Sequence, residues 1–103
     1  MHKLKIKLIN MNIYLISQTK NKNYDSYDSA VVVAESEYEA CIIHPGGKKM
    51  RVDSGGYFIS TQESDCKFDW VTNPDDVSVE LIAENVVGVH QYVTIICASY
   101  NAG

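Results

Sequence analysis

The chain has 103 residues, 46% of them hydrophobic, which predicts a single globular domain with one modest core. No stretch approaches the roughly 18 consecutive apolar residues that a membrane-spanning helix requires. The first residues, MHKLKIKLI, interleave charged and apolar side chains, whereas a secretory signal separates a basic region from an apolar block. We therefore expect neither a membrane span nor a secretory signal.

The formal net charge of −4 is unevenly distributed along the chain. Lys3, Lys5 and Lys7 supply three of the nine positive charges. From Met11 onward, six Lys and Arg residues stand against thirteen Asp and Glu residues, a balance of −7. An acidic body repels nucleic-acid phosphates, so general nucleic-acid binding is disfavoured and a basic partner is favoured.

The three cysteines, Cys41, Cys66 and Cys97, are odd in number and widely spaced. They form neither a disulfide framework nor a CxxC zinc pair. Cys41 and Cys97 lie in apolar runs and are predicted to be small buried hydrophobes, which leaves Cys66 as the exposed thiol. This pattern fits the reducing cytoplasm.

The first third of the chain predicts two strands, preceded by either a further edge strand or an extension. Residues 1–10 have a period-two pattern that predicts either an edge strand or an extension before a single domain at 11–103. Residues 12–17, NIYLIS, are rich in β-branched and aromatic residues and predict a central strand. Residues 18–29 form a long polar loop, which makes them a candidate functional loop. Residues 30–35, AVVVAE, predict a strand covered on both faces.

A helix is predicted over residues 36–44. Ser36 has the properties of an N-cap, and Glu39 stands three residues later in the capping-box position. His44 lies in the predicted last turn, where the helix dipole stabilises an imidazolium, and Pro45 ends the helix. We therefore expect His44 to cap the C-terminal end of this helix rather than to act in catalysis.

The second half of the chain predicts a hairpin and two further strands. In the irregular segment 46–69, MRV and YFIS are expected to pair through a DSGG turn. An NPDD turn at 73–76 precedes VSVELIAENV, and YVTIICASY at 92–100 predicts the last strand. The short connection between these last two strands predicts that they pair with each other. The fold class is α+β, with a four- or five-stranded, mostly antiparallel sheet and one principal helix.

The tandem YDSYDS at residues 24–29 is the first candidate site. In a functional interpretation, Tyr24 and Tyr27 stack on a ring while Asp25 and Asp28 bind hydroxyls or amines. In the structural alternative, the segment is a polar turn that satisfies backbone amides at a strand entry, with one tyrosine on the core. Both interpretations remain open at this point.

A basic stretch and a lone tryptophan are the other candidates. Lys48, Lys49 and Arg51 are the concentrated positive residues of the body, but the stretch lacks GxxxxGK[ST] and follows a helix instead of preceding one. It is either an anion site or a soluble hairpin edge. Trp70 is a core residue, or a binding hot spot if it is exposed.

No constellation indicates catalysis. The spacing shows no Ser-His-Asp or Cys-His arrangement and no GxSxG motif. His2, His44 and His90 lack metal-ligand spacing. We therefore expect a non-enzymatic protein without a metal or a cofactor.

The segments NIYLISQ, YDSYDSAVVVAESEYEA and IHPGG, then a Trp followed by PDDVSVELIAENV, and finally VTIICASYNAG, define a pattern. It resembles a group of small uncharacterised bacteriophage proteins that begin at a methionine matching Met11. The resemblance spans Met11 to Gly103, while the insertion KKMRVDSGGYFISTQESDCK varies within the group. It implies a bacteriophage source and the host cytoplasm as location, but no particular activity. Small acidic phage proteins are, by association, often accessory factors that counter host defence.

Three functional hypotheses follow. The first is a binding protein that masks a basic host surface through acidic residues (Asp25, Asp28, Glu35, Glu37, Glu39, Asp75, Asp76). The second is a sponge or hydrolase for a nucleotide signal, with stacking and phosphate-binding residues (Tyr24, Tyr27, Trp70, Lys48, Lys49, Arg51). The third is a virion component that self-associates through the strand of Lys3, Lys5 and Lys7.

Overall fold

The computed structural model describes residues 11–59, 69–86 and 95–101. Its elements are β1 (Asn12–Ser17), β2 (Ser26–Ala34), α1 (Glu37–Cys41), a 3₁₀ turn (Pro74–Asp76), β3 (Ser78–Ala83) and β4 (Ile95–Asn101). The strands form one antiparallel sheet in the order β3-β1-β2-β4. The predicted α+β class is confirmed.

The sheet is built around the β1–β2 pair. These strands align without a register shift from Asn12 opposite Ala34 to Ser17 opposite Ser29. β1 has the predicted bounds, but β2 begins at Ser26, four residues before the predicted start at Ala30. The observed loop between β1 and β2 is therefore shorter than the predicted loop at 18–29. The reason is that β4 lies beside β2 and extends its pairing, with Tyr27 opposite Tyr100.

The predicted pairing of the last two strands is wrong. β3 pairs with β1 and β4 pairs with β2, so β3 and β4 lie at opposite edges of the sheet. β1 and β2 are the more buried strands, and their central position satisfies their backbone groups on both sides. The more exposed strands β3 and β4 therefore occupy the edges.

One face of the sheet carries the hydrophobic core. Side chains from the two central strands, including the fully buried Ile16 and Val32, pack beneath Ala40 of α1. α1 and the segments after it form a covering layer over this face of the sheet. The segments after α1 contribute large buried side chains to that layer (Ile43, Met50, Phe58, Trp70, Val71). Cys97 lies on the edge strand β4 and is exposed, and Cys41 is only partly buried. The prediction that both thiols are buried is therefore wrong.

The helix begins as predicted and ends early. The Ser36 hydroxyl accepts a hydrogen bond from the Glu39 backbone N–H at 3.2 Å, and the Glu39 carboxylate accepts one from the Glu35 N–H at 2.9 Å. After Cys41 the chain tightens, since Ile42 and Ile43 donate to carbonyls three residues back instead of four. These two β-branched residues lower helix propensity at this point. The helix therefore stops three residues before the expected end at His44.

The predicted hairpin after the helix is present as a single bridge. Val52 lies opposite Phe58, and the Asp53 N–H donates to the Tyr57 carbonyl at 2.8 Å. The Asp53 carboxylate organises the turn by accepting the backbone N–H groups of Gly55 and Tyr57. The predictions for residues 1–10, for Cys66 and for the start of the last strand at 92–94 lie outside the described residues.

Replacing Ile16 by Ala is expected to lower the free energy of unfolding by about 2–5 kcal/mol, because it opens a cavity under the covering layer. Ile16 is fully buried in the central strand β1. Urea unfolding, followed by tryptophan fluorescence, measures the loss as a lower midpoint at an unchanged slope.

Ile82→Ala is the matched control. This substitution removes the same atoms as Ile16→Ala, but from a side chain that is 53% exposed. A surface change of this kind is expected to cost about 0.5 kcal/mol or less. Equal losses in the two variants would contradict the described core.

Candidate functional site

The YDSYDS segment crosses from a turn into β2. Asp25 has a positive φ of 62°, a backbone conformation that Asp and Asn adopt more readily than most residues. Its N–H donates to the carbonyl of Asn101 in β4. The hydroxyl of Ser26 is buried and donates to the Asn23 carbonyl. The segment is thus both a strand-entry turn and the start of a strand.

Tyrosine rings from β2 and β4 meet beside this turn. The ring centroids of Tyr27 and Tyr100 lie 4.8 Å apart with an interplanar angle of 57°. The rings of His44 and Tyr27 have centroids 5.7 Å apart and are nearly perpendicular, in a T-shaped arrangement. The carboxylates of Asp25 and Asp69 both lie near the phenol of Tyr100. We refer to Asp25, Tyr27, Asp69 and Tyr100 as the tyrosine–aspartate cluster.

His44 supports the cluster from the interior. Its Nε2 lies 2.7 Å from Oδ1 of Asp69, and its Nδ1 accepts a hydrogen bond from the Gly46 N–H at 2.9 Å. An acceptor Nδ1 fixes the proton on Nε2, which donates to Asp69. A Cβ at position 46 would lie 2.9 Å from Nδ1, so the close approach requires glycine there. The predicted helix-capping role of His44 is wrong, because His44 lies beyond α1 and pairs with Asp69.

The cluster has a negative electrostatic character. The pKa of Tyr100 is raised by partial desolvation of its phenol and by the nearby carboxylates of Asp25 and Asp69. Among the described residues, the ion pairs of lysine join Lys20 to Asp76 at 3.3 Å and Lys49 to Glu39 at 2.9 Å. Neither pair reaches the cluster, so within the described ranges no Lys or Arg neutralises its two carboxylates.

A β-bulge adds a third carboxylate to this end of the sheet. The β2–β4 register shifts between Tyr27 and Ser29, so Asp28 is the extra residue on β2. Its carbonyl accepts the Gln18 N–H at 3.1 Å, and its side chain is exposed. Bulges recur next to functional sites because they redirect a side chain without ending the strand.

Other predicted residues lie elsewhere in the structure. Tyr24 is 75% exposed at the turn, and Lys48 and Arg51 are exposed, whereas Lys49 is held by Glu39. Hydrogen bonding to Lys49 first, and to the Glu35 backbone second, lowers the pKa of Glu39. The structure therefore ties part of the predicted basic stretch to the start of α1.

Trp70 is a core residue at 1% exposure, so it does not offer an exposed stacking surface. Its carbonyl accepts a hydrogen bond from the Asn21 amide at 2.8 Å. Its indole N–H has no hydrogen-bond partner within the described part of the chain. A small cavity of about 210 Å³ lies beside it and is lined by polar residues (Lys20, Asn21, Asn23, Thr72, Asp76).

The remaining predicted acids flank a groove between α1 and the 3₁₀ turn. Glu37 and Asp75 stand at its sides, and the groove has a volume of about 520 Å³. Its lining is otherwise largely apolar or aromatic (Tyr38, Cys41, Pro74, Val77, Val79). Burial, followed by the charge of Asp75, raises the pKa of the Cys41 thiol. This thiol is therefore poorly suited to act as a nucleophile.

Two residues of the candidate site, Asp69 and Tyr100, were not among the residues predicted from the sequence. Asp69 was visible only as one of several acids, and its partner His44 is 25 residues away. Tyr100 was visible only as part of the last strand. A signal did exist, since the bulky Ile43 and Pro45 on either side of His44 favour a buried imidazole that needs partners.

No three His, Cys, Asp or Glu side chains in ranges 11–59, 69–86 and 95–101 come together as metal ligands would. None of the described helices has the length and apolar character needed to cross a bilayer. Comparison of the chain with known protein families, curated proteins and solved structures finds no match.

Replacing Asp69 by Ala is expected to lower the free energy of unfolding by about 1–3 kcal/mol, because the buried Nε2–H of His44 loses its acceptor. Asp69→Asn retains a carbonyl oxygen and is expected to recover most of that loss. Urea unfolding measures both changes, and ¹⁵N chemical shifts of the imidazole report its tautomer. Equal losses in the two variants would show that charge, and not the acceptor, is what His44 requires.

Glu39→Gln is expected to destabilise the protein slightly at pH 7, by up to about 1 kcal/mol, because this ion pair is largely exposed. A folded-state pKa below the ordinary 4.5 means that the carboxylate stabilises the fold above that pH. This contribution is lost as the pH falls through the folded-state pKa, so the gap between variant and wild type should close on acidification.

Thermal unfolding across a pH series measures that gap. Glu84→Gln, an exposed change of the same kind beyond β3, serves as the control and should show little difference at any pH. A gap for Glu39→Gln that persists unchanged in acid would argue against the ion pair.

Proposed function

We propose that the protein is a non-enzymatic binding protein that holds a positively charged side chain of a partner protein at the tyrosine–aspartate cluster. The observation that carries this proposal is the pair of carboxylates, Asp25 and Asp69, near Tyr100, whose ring adjoins that of Tyr27. Asp69 also pairs with His44, and the ion pairs of lysine within the described residues lie elsewhere. Such a surface is complementary to a cation.

The chemistry favours arginine over lysine. A guanidinium can stack on a tyrosine face while its N–H groups donate to carboxylate oxygens in a planar, two-pronged geometry. The adjoining rings of Tyr27 and Tyr100, with centroids 4.8 Å apart, offer an aromatic surface wider than one ring. Cation–π attraction and charge-assisted hydrogen bonding would then act on the same group.

The placement of His44 supports binding over catalysis. Both of its ring nitrogens are engaged, one by Gly46 and the other by Asp69, and the side chain is 3% exposed. A general base needs a free nitrogen within reach of a substrate proton. His44 instead fixes the orientation of the Asp69 carboxylate.

Two further features support a protein partner. The body of the chain has a balance of −7, which speeds encounter with a basic surface. The groove between Glu37 and Asp75 provides a second acidic, apolar-lined surface for contact. The resemblance to bacteriophage proteins supports a host protein as that partner, masked in the cytoplasm of the infected cell as part of counter-defence.

The nucleotide alternative has less support. Tyr24 and Arg51 are exposed, as it requires, but Trp70 is buried and Lys49 is paired with Glu39. A nucleotide present at 100 times its Kd would stabilise the fold by about 2.7 kcal/mol. A rise in melting temperature with linear or cyclic nucleotides would therefore favour that alternative, and product formation would distinguish a hydrolase from a sponge.

Titration of ¹⁵N-labelled protein with a hexa-arginine peptide tests the binding proposal. We expect chemical-shift changes that centre on the backbone amides of Asp25, Tyr27 and Tyr100 and that weaken as salt is added. Asp25→Asn is expected to weaken binding at least about threefold, since one carboxylate is lost at an exposed site. Asn also tolerates the positive φ at this position.

Glu80→Gln is the matched control, because it removes one exposed carboxylate from β3 at the far edge of the sheet. It should change the affinity little. Shift changes scattered over all acidic residues, or equal weakening by the two variants, would show that the peptide senses only the net charge and would contradict the proposal.

A further inference from the structure

Within ranges 11–59, 69–86 and 95–101, β4 is an edge strand with no other strand along its outer side. Its inner side pairs with β2, and every residue from Ile96 to Tyr100 is exposed. Ile96 is 49% and Tyr100 is 47% exposed, although both are large and apolar or aromatic. A strand at a sheet edge presents unpaired backbone N–H and C=O groups along its outer side, and these groups can pair with another strand.

The residues of β4 itself include no charged side chain. The chain contains no Lys, Arg, Asp or Glu from Asn85 to Gly103, so β4 is uncharged over its whole length. The opposite edge differs, because β3 carries Glu80 and is followed by Glu84. Natural proteins commonly block unwanted edge pairing with charges or proline, and β4 has neither.

We propose that β4 pairs with β4 of a second copy of this chain, antiparallel and about a two-fold axis, so that two sheets of four strands join into one. A two-fold arrangement uses the same surface on both copies and closes without forming a fibre. The inference goes beyond the proposed function. Both involve Tyr100 of β4, but the dimer depends on the backbone edge of that strand, and its measurement needs no cationic ligand.

The sequence of the strand matches itself in this arrangement. The middle residue of β4 is Ala98. With the axis beside Ala98, Cys97 of one copy lies opposite Ser99 of the other. Ile96 is an extra residue at the second register shift of β4, and the arrangement brings it near Tyr100 of the other copy. Pairs of an aromatic and a β-branched residue stabilise antiparallel strands, so the two most exposed large side chains of each strand would cover one another.

The distribution of charge favours β4 over the rest of the surface as the contact between two copies. Two copies of a chain with a formal net charge of −4 repel each other over most of their surfaces. The residues of β4 are themselves uncharged, so two β4 strands can meet without like charges on the paired strands, and the carboxylates of Asp25 and Asp69 lie only toward the Tyr100 end. Pairing through β3 would instead bring Glu80 of each copy toward the other, which is unfavourable.

Ser99→Lys tests the proposal with a matched control. Ser99, Ser29, Ser17 and Ser78 lie opposite one another in a single row across the sheet, so Ser99 and Ser78 share a face at opposite edges. Both are exposed. Ser78→Lys therefore adds the same charge to the same face at the edge that the proposal leaves free.

Sedimentation velocity over a wide range of concentration is the measurement. Wild type and Ser78→Lys are expected to be dimers at high concentration, whereas Ser99→Lys should raise the dimer Kd by about tenfold or more, because each dimer gains two like charges at its centre. A wild-type protein that stays monomeric at millimolar concentration would overturn the proposal. A dimer that Ser99→Lys leaves unchanged would overturn it as well.

A cysteine experiment provides an independent measurement if a lysine variant does not fold. Opposed residues of antiparallel strands have Cα atoms about 4.5–5.5 Å apart, within the range that a disulfide spans. Ala98→Cys, in a chain with Cys41, Cys66 and Cys97 changed to serine, should form a disulfide-linked dimer under mild oxidation. Ser78→Cys in the same background should not, and equal cross-linking of the two would contradict pairing through β4.

Discussion

The pairing of β1 with β2 is the constraint on which the rest of the structure depends. These strands run antiparallel over six opposed residue pairs without a register shift, and they provide the inner positions of the sheet. Their shared face presents Ile16, Ala30 and Val32 to the covering layer. A slip of one residue would turn this apolar row to the other face, so burial of the row fixes the register. With the register fixed, β3 and β4 can join only at the outer sides.

The register also determines where the candidate site forms. Because β2 starts at Ser26, Tyr27 lies opposite Tyr100 of β4, and the turn before it brings Asp25 to the same end of the sheet. The covering layer then adds His44, which holds Asp69 by its Nε2. A buried imidazole with both nitrogens engaged is a rigid support, so the carboxylate is oriented before any ligand arrives. Such preorganisation reduces the entropy lost on binding.

Sequence reasoning succeeded where a local pattern determines the structure. The bounds of β1 follow from its run of β-branched and aromatic residues. Ser36 caps α1 as predicted, by accepting the Glu39 N–H. The predicted NPDD turn forms as the 3₁₀ turn, where the Asn73 side chain accepts the Asp75 N–H.

It failed where distant segments compete for the same place. The positions of β3 and β4 depend on which edges β1 and β2 leave open, and chain proximity favoured the wrong neighbour. The partner of His44 is likewise set by tertiary packing, since Asp69 lies far along the chain and no spacing rule connects the two. The helix length was overestimated because Ile42 and Ile43 are drawn into the core and the following loop, against the helical pattern around them.

The tyrosine–aspartate cluster draws its four members from a turn, a central strand, the covering layer and the last strand, at positions 25, 27, 69 and 100. No fragment of the chain that lacks either end of this span contains all of them. Contacts between residues so far apart form late or only on completion of folding, since closing long loops costs entropy that local contacts do not. The tyrosine–aspartate cluster is thus absent from a nascent or truncated chain and forms only when the fold is complete.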